Sequence, residues 1–267
     1  MASNDLSGVR SERDIVFARG GDIDLKLEVH HPPAGTANGA CVIEVYGGGF
    51  TRGNTGGHYP DVFKRFAPLG YVCVAPQYRL GHEGKFPAQI DDLKAGILWT
   101  VENAARLNVD PAKIVVAGYS AGAQLALLAA GHAEAGKHLA ACIAYYPAFS
   151  RRGPGSPVHP IMTEASTDAD YARTEPLNAI AAGYPPTIMF CGTHDGFMEH
   201  TQQLQAKIAG VGSEVEAHYL AGLDHIFDRD PALAGAATRW CHLFMDRYVV
   251  NPREMPAYQR PAPVTAN

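Results

Sequence analysis

The stretch KIVVAGYSAGAQLALLAA, residues 113–130, indicates a buried strand that turns sharply into a helix. Its centre, Gly118-Tyr119-Ser120-Ala121-Gly122, has the G-x-S-x-G pattern of a nucleophile elbow, in which a serine stands at the apex of the turn. Glycines two residues before and two residues after the serine let neighbouring backbone approach without a Cβ clash. The helix N-terminus directs free N–H groups and its positive dipole end toward the serine. We therefore predict that Ser120 is a nucleophile.

Strand-like and helix-like segments alternate on both sides of this stretch. A hairpin is predicted over 13–19 and 24–31, with its turn at Gly20-Gly21. Further strands are predicted over 40–46, 71–76, 113–117, 139–146, 186–191 and 214–220, and helices over 59–69, 87–107, 120–132, 199–209 and 231–249. The strands are apolar without alternation, which is typical of a parallel sheet covered by helices on both faces. The pattern predicts one α/β domain over residues 1–250.

Two segments do not follow this alternation of strands and helices. Residues 148–184 are rich in Pro, Gly, Ser and Thr and only weakly periodic. A long irregular insertion in a compact domain is usually functional, so we expect a lid or substrate-binding loop, with a poorly ordered surface loop as the alternative. Residues 251–267 hold four prolines and few large apolar residues, which predicts a C-terminal tail that wraps the surface or is loose.

A second glycine cluster follows the predicted strand 40–46. In Tyr46-Gly47-Gly48-Gly49-Phe50 the glycines expose backbone N–H groups at the end of a strand. We expect the N–H groups of Gly48 and Gly49, together with that of Ala121, to form an oxyanion hole. A tight turn or a phosphate cradle would also explain the glycines, but no Gly-Lys-Ser/Thr follows to support a phosphate site.

A serine nucleophile needs a base, and the base needs a carboxylate that orients it. The chain order expected after this elbow is Ser, then Asp or Glu, then His. Asp195 follows the strand 186–191, and His225 lies between the last strand and the last helix. Both therefore lie at the carboxyl edge of the sheet, where Ser120 also lies. We predict Asp195 and His225 as the partners of Ser120 and interpret the adjacent His194 and Asp224 as local hydrogen-bonding residues.

Composition limits the class of protein. The 267 residues carry 22 Lys and Arg against 27 Asp and Glu, a net charge of −5 that disfavours nucleic-acid binding. No apolar run reaches the ~18 residues that cross a bilayer, and the polar N-terminus shows no secretory signal. Five dispersed cysteines predict buried free thiols in a reducing compartment, so we expect a cytoplasmic protein. Spacing typical of a metal site is absent, and we predict no metal site.

Taken together, these motifs resemble the α/β-hydrolase superfamily, and within it the hormone-sensitive-lipase-like carboxylesterases and the feruloyl- and acetylxylan-esterase-like proteins. The resemblance extends over about Val9 to Val249. It also includes Gln77-Tyr78-Arg79-Leu80, the segment from Phe86 to Asp92 and the Asp110-Pro111 turn. It implies a mainly parallel eight-stranded sheet, a Ser120–His225–Asp195 triad, an oxyanion hole and hydrolysis through an acyl-enzyme without a cofactor.

Three positions depart from the family pattern. Tyr46 stands where the family usually has a histidine that braces the glycine loop, and Gln77 stands where it usually has an aspartate. The segment around Asp195 is Gly-Thr-His-Asp, whereas the family has Asp-Pro-Leu. As residues that bind substrate we predict Tyr46, Phe50, Tyr119, Phe149 and Phe197, although these aromatic rings would equally suit a core.

The sequence thus predicts a serine esterase for a small or medium carboxylic ester. Two other functions stay open: an arylformamidase-like amide or lactone hydrolase with the same triad, and a binding protein that keeps the hydrolase fold without catalysis. The partner is expected to be a small-molecule ester rather than nucleic acid or membrane. A homodimer through the final helix and an edge strand is a further expectation, since this fold often dimerises there.

Overall fold

Eight strands form one sheet in the computed structural model, which describes residues 6–55, 64–153 and 155–255. In chain order the strands are β1 (Arg10–Gly20), β2 (Ile23–His31), β3 (Cys41–Val45), β4 (Val72–Pro76), β5 (Ile114–Tyr119), β6 (Ala141–Tyr145), β7 (Thr187–Gly192) and β8 (Val215–Leu220). Their spatial order is β1-β2-β4-β3-β5-β6-β7-β8. Strand β2 runs in the direction opposite to the other seven strands. The predicted mainly parallel eight-stranded sheet is therefore confirmed.

The described residues form six α-helices. They are α1 (Ala88–Glu102), α2 (Ala104–Leu107), α3 (Ala121–Ala130), α4 (Asp168–Thr174), α5 (Met198–Gly210) and α6 (Pro231–Met245). The crossovers through α1, α3 and α5 all step in the same direction along the sheet, which by the right-handed rule puts them on one face. Helix α6 approaches β6 from the other face, where the Tyr145 hydroxyl lies 3.3 Å from Cys241 Sγ.

Several predicted helices differ from the observed ones at their ends. The expected helix 87–107 is broken at Asn103 into α1 and α2, and the expected final helix ends at Met245 and continues as a π-helical turn, Asp246–Val250. Of the expected helix 59–69, residues 59–63 lie outside the described residues, and Ala67–Leu69 form a single 3-10 turn. Strands β3 to β7 are buried along their whole length, which explains why their sequences lack alternation.

The irregular insertion 148–184 packs on the face that carries α1 and α3. Gln124 of α3 donates its amide to the Thr174 carbonyl at 2.7 Å, and the Phe86 N–H donates to the Ile161 carbonyl at 2.8 Å. The insertion contains one helix, α4, that sequence periodicity did not indicate. Its role as a lid or a substrate-binding loop stays a prediction. The tail 251–267 is described only as far as residue 255.

All five cysteines are buried free thiols, as predicted. Burial raises the pKa of the Cys241 thiol to about 12, so this thiol stays protonated and unreactive at neutral pH. Among the described residues, no helix has both the length and the apolar character needed to cross a bilayer.

Candidate active site

Ser120 occupies the sharp turn between β5 and α3. Its backbone has φ 55° and ψ −116°, a left-handed conformation that costs a non-glycine residue about 1–3 kcal/mol. Three hydrogen bonds hold it there: the Ser120 N–H donates to the Tyr145 carbonyl at 2.9 Å, and the Ser120 carbonyl accepts from the N–H groups of Gln124 (3.1 Å) and Ala148 (3.2 Å). The strained turn is therefore held by α3 on one side and by β6 and the segment after it on the other.

Glycines around the turn allow three backbone segments to pack against one another. A Cβ on Gly118 would lie 2.2 Å from the Gly122 carbonyl oxygen, and a Cβ on Gly122 would lie 2.2 Å from that of Val45 in β3. A Cβ on Gly47 would lie 2.7 Å from the Tyr119 carbonyl oxygen. Gly47, Gly118 and Gly122 are thus required by close backbone approach, which brings the glycine loop next to the serine.

The three predicted triad side chains meet at the carboxyl edge of the sheet. Ser120 Oγ lies 3.0 Å from His225 Nε2, and His225 Nδ1 lies 2.7 Å from Asp195 Oδ2. Asp195 is buried, with 2 % of its side chain exposed, and its other oxygen accepts the Phe197 N–H at 2.9 Å. Because the carboxylate accepts from Nδ1–H, Nε2 carries the lone pair that accepts the serine hydroxyl. This geometry can increase the nucleophilicity of the hydroxyl.

Aromatic rings hold the His225 imidazole on two sides. The Tyr146 ring packs edge-on against it at 4.7 Å between centroids, and the Phe197 ring does so at 5.0 Å. Phe149 in turn packs edge-on against Phe197 at 5.5 Å. The imidazole is therefore oriented by ring packing as well as by its hydrogen bond to Asp195.

Neither neighbour of the predicted base and acid joins this arrangement. Asp224 accepts the His225 N–H at 2.7 Å, which is the local hydrogen bond that we predicted. For His194 that prediction is wrong: only its backbone N–H bonds, to the Leu223 carbonyl, while its ring is exposed and makes no hydrogen bond with the described residues. The ring projects from a tight turn in which only the Asp195 side chain faces inward.

A cavity of about 350 Å³ opens in front of Ser120. Its described lining consists of Gly47, Gly48, Gly49, Thr51, Arg52, Tyr119, Ser120, Tyr146, His225 and Ile226. Gly48 and Gly49 have φ of 115° and 61°, and their N–H groups donate to no described residue. Ala121 is the first residue of α3, where an N–H has no partner within the helix. The backbone N–H groups of Gly48, Gly49 and Ala121 thus have no described acceptor.

The five aromatic residues predicted to bind substrate have different positions. Tyr119 lines the cavity, whereas Phe149 and Phe197 pack behind His225 and do not belong to its described lining. Tyr46 and Phe50 are 2 % and 1 % exposed and lie in the core beneath the glycine loop. We correct their assignment accordingly: burial of these large rings in the core outweighs their proximity in sequence to the glycines.

Tyr46 braces the glycine loop through its hydroxyl. The hydroxyl donates to the Tyr78 carbonyl at 2.8 Å and accepts the Tyr78 N–H at 3.1 Å, while the Tyr78 hydroxyl donates to the Tyr46 carbonyl at 3.0 Å. The two rings stack at 4.2 Å between centroids. We infer that Tyr46 fulfils here the bracing role for which the family usually has a histidine.

Sequence reasoning did not predict the buried charges behind the site. Arg65 Nη1 lies 2.9 Å from Asp228 Oδ2, and the Tyr146 hydroxyl donates to Asp228 Oδ1 at 2.6 Å. The Asp228 side chain is fully buried, and a buried ion pair of this kind is destabilised strongly when one partner is removed. Asp228 therefore fixes Tyr146, the ring that packs against His225.

Glu44 is a second buried acid, on β3 beneath the turn. Its Oε2 accepts the Tyr119 hydroxyl at 3.0 Å, while its Oε1 has no hydrogen-bond partner among the described residues. Burial raises the pKa of Glu44 from 4.5 to about 8. The folded protein therefore holds a proton on this carboxyl at neutral pH.

We expect Glu44→Gln to stabilise the protein increasingly as pH rises from about 4.5 to 8. In that window the unfolded wild type releases a proton that the folded wild type retains, so the wild type loses stability as pH rises. Glutamine resembles the protonated acid and does not titrate. The measurement is the difference in Tm between variant and wild type at pH 5 and pH 8, with exposed Glu164→Gln as the control. An equal difference at both pH values would show that Glu44 does not titrate abnormally.

Comparison with known proteins agrees with this fold and site. Residues 42–229 match the family model described as alpha/beta hydrolase fold, which is more than half of the chain. The chain therefore belongs to the alpha/beta hydrolase fold family, as the resemblance implied.

Three similar proteins are hydrolases of esters by name. Carboxylesterase NlhH of Mycobacterium tuberculosis is 32% identical over 165 residues, which are 61% of this chain and 50% of that protein. An ethyl acetate hydrolase of Pseudomonas putida is 25% identical over 230 residues, 77% of this chain and 72% of that protein. A hyperthermophilic esterase of Pyrobaculum calidifontis superposes with a TM-score of 0.76 at 25% identity, over 90% of this chain and 86% of that chain. The matched region spans only about half the length of the carboxylesterase.

Proposed function

We propose that this protein is a serine hydrolase that cleaves small carboxylic esters through an acyl-enzyme on Ser120. The observation that carries the proposal is the hydrogen-bonded chain from Ser120 Oγ through His225 to buried Asp195, at the wall of an open cavity. The ester hydrolases among its relatives support the ester as the scissile bond. The formamide or lactone alternative has no comparable support, and a binding protein would not need the complete triad.

In the proposed mechanism His225 Nε2 takes the Ser120 proton while Oγ attacks the ester carbonyl. The imidazolium forms beside the Asp195 carboxylate, which stabilises its positive charge. His225 then gives the proton to the leaving alcohol, and the acyl group stays on Oγ. A water activated by the same nitrogen attacks the acyl carbonyl, and the acid leaves as Oγ regains its proton.

The N–H groups of Gly48, Gly49 and Ala121 are the proposed donors to the oxyanion that forms in each attack. All three lie on backbone that is fixed in advance, by the glycine loop and by the start of α3. Fixed donors cost no reorganisation during the reaction, and one such donor contributes about 3–4 kcal/mol to transition-state stabilisation.

We expect activity on p-nitrophenyl esters to favour short acyl chains. The cavity of about 350 Å³ lies near the lower end of the range for ligand sites, and Ile226 is the only aliphatic side chain in its described lining. We expect kcat/KM to fall about tenfold between the butyrate and octanoate esters because the longer chain exceeds a pocket of this size. The measurement is a series from acetate to dodecanoate, with N-formylkynurenine and a lactone assayed in parallel. Faster cleavage of either of these would contradict an esterase.

The homodimer and the cytoplasmic location stay predictions. Trp240 and Leu243 of α6 are 48 % and 59 % exposed, and β8 forms one edge of the sheet, which supports association through this side. The five buried free thiols support a reducing compartment. Light scattering that gave the mass of a monomer, and fractionation that placed the protein outside the cytoplasm, would contradict them.

A further inference from the structure

Arg52 places a positive charge in the wall of the cavity that contains Ser120. It follows the glycine loop by three residues, and its backbone is fixed there because the Arg52 N–H donates to the Gly48 carbonyl at 3.3 Å. A Cβ on Gly48 would lie 3.3 Å from Arg52 Cγ, so the stem of the side chain packs against the glycine loop. The stem of the Arg52 side chain therefore lies on the side of the cavity that holds the proposed oxyanion donors.

Among the residues that the structure describes, this charge has no counterpart. Arg52 forms no ion pair or side-chain hydrogen bond with any described residue, whereas Arg65, Arg79 and Arg106 are all paired with carboxylates. Among the described lining residues no Asp or Glu is present. Apart from the imidazole of His225, Arg52 is thus the one ionisable cation in the described wall.

We propose that the substrate is an ester that carries an ionised carboxylate, which the Arg52 guanidinium binds while Ser120 attacks the ester carbonyl. The inference rests on the proposed function, since it adds a substrate class to the same site. A guanidinium offers a planar set of N–H donors that matches a carboxylate in a bidentate geometry, and such charge-assisted hydrogen bonds are stronger than neutral ones. A neutral ester of the same size would leave this donor set unused.

Two matched pairs of esters test the proposal by titration of the released acid. Monoethyl succinate and ethyl butyrate differ by a carboxylate in place of a methyl group on the acyl side, and acetoxyacetate and ethyl acetate differ in the same way on the alcohol side. For each pair the quantity is the ratio of kcat/KM for the charged ester to that for the neutral ester. The enzymes are the wild type, Arg52→Gln, Arg52→Lys and, as a control for net charge, Arg239→Gln on the exposed side of α6.

We expect the ratio for at least one pair to fall about tenfold in Arg52→Gln, which corresponds to the loss of one charge-assisted hydrogen bond. Arg52→Lys retains part of the ratio, and Arg239→Gln leaves it unchanged. The pair that responds tells whether the carboxylate lies on the acyl or the alcohol side. Ratios that stay the same in Arg52→Gln for both pairs would overturn the proposal.

A measurement on the wild type alone tests the proposal even if a variant fails to fold. Salt screens an exposed ion pair, so raising NaCl from about 0.05 to 0.5 M lowers kcat/KM for the charged ester and leaves that for its neutral partner unchanged. Equal salt dependence of both esters would contradict a role for Arg52. If no ester in either pair is cleaved, the proposed function fails instead, so the two failures are distinguishable.

Discussion

Ser120→Ala is expected to lower kcat for ester hydrolysis by about 10⁴- to 10⁶-fold, the loss that follows removal of the nucleophile from a serine hydrolase triad. The Ser120 hydroxyl hydrogen-bonds only to His225 Nε2 among the described residues, so the fold does not depend on it. Thermal unfolding of the variant should therefore stay close to that of the wild type. The assay is hydrolysis of p-nitrophenyl acetate, followed from burst to steady state.

Ser213→Ala provides the matched control, because Ser213 lies on the loop between α5 and β8 and far along the chain from the turn. It should keep full activity. If Ser120→Ala also hydrolysed the ester at the wild-type rate after exhaustive purification, another group would have to be the nucleophile.

Gly122→Ala is expected to destabilise the protein by about 3 kcal/mol, the upper part of the usual cost of overpacking. The added Cβ would lie 2.2 Å from the Val45 carbonyl oxygen and 2.4 Å from that of Tyr46, so α3 must move away from β3. That movement displaces Ser120 as well, and activity should fall with stability. Gly122 lies within α3, where alanine alone would favour the helix, so a loss of stability isolates the steric effect.

Gly235→Ala tests the same substitution in open space. Gly235 lies within α6, and the nearest atom to its added Cβ is Arg239 Nη1 at 3.8 Å. Helix propensity predicts that the free energy of unfolding of this variant rises by about 1 kcal/mol. The measurement for both variants is the free energy of unfolding in urea. A Gly122→Ala protein as stable as Gly235→Ala would show that the turn does not need the close approach of β3 and α3.

Local motifs made the fold and the centre of the site predictable. Ser120, Gly48 and Gly49 each follow the end of a buried strand. The spacing of Gly118 and Gly122 indicates close backbone approach. Asp195 and His225 were found because parallel strands place their carboxyl ends at one edge. In each case a short segment contained both the structural signal and the reactive residue.

Features that depend on tertiary packing were not predictable. Arg65 and Asp228 are 163 residues apart in the chain, and only the folded sheet brings them together. Tyr46 and Phe50 were misassigned because sequence distance from the glycines does not tell into which layer a ring packs. Helix α4 was missed because the insertion is weakly periodic, although Thr167 and Asp170 form a capping box that marks its start.

Covalent capture of the acyl group tests the central claim most directly. The protein is mixed with p-nitrophenyl acetate, quenched in acid during the burst, digested and analysed by peptide mass spectrometry. We predict an acetyl group on the peptide that contains Ser120, and none after the same treatment of Ser120→Ala. Steady turnover without an acetylated peptide, or acetylation of a different residue at the burst rate, would contradict the account.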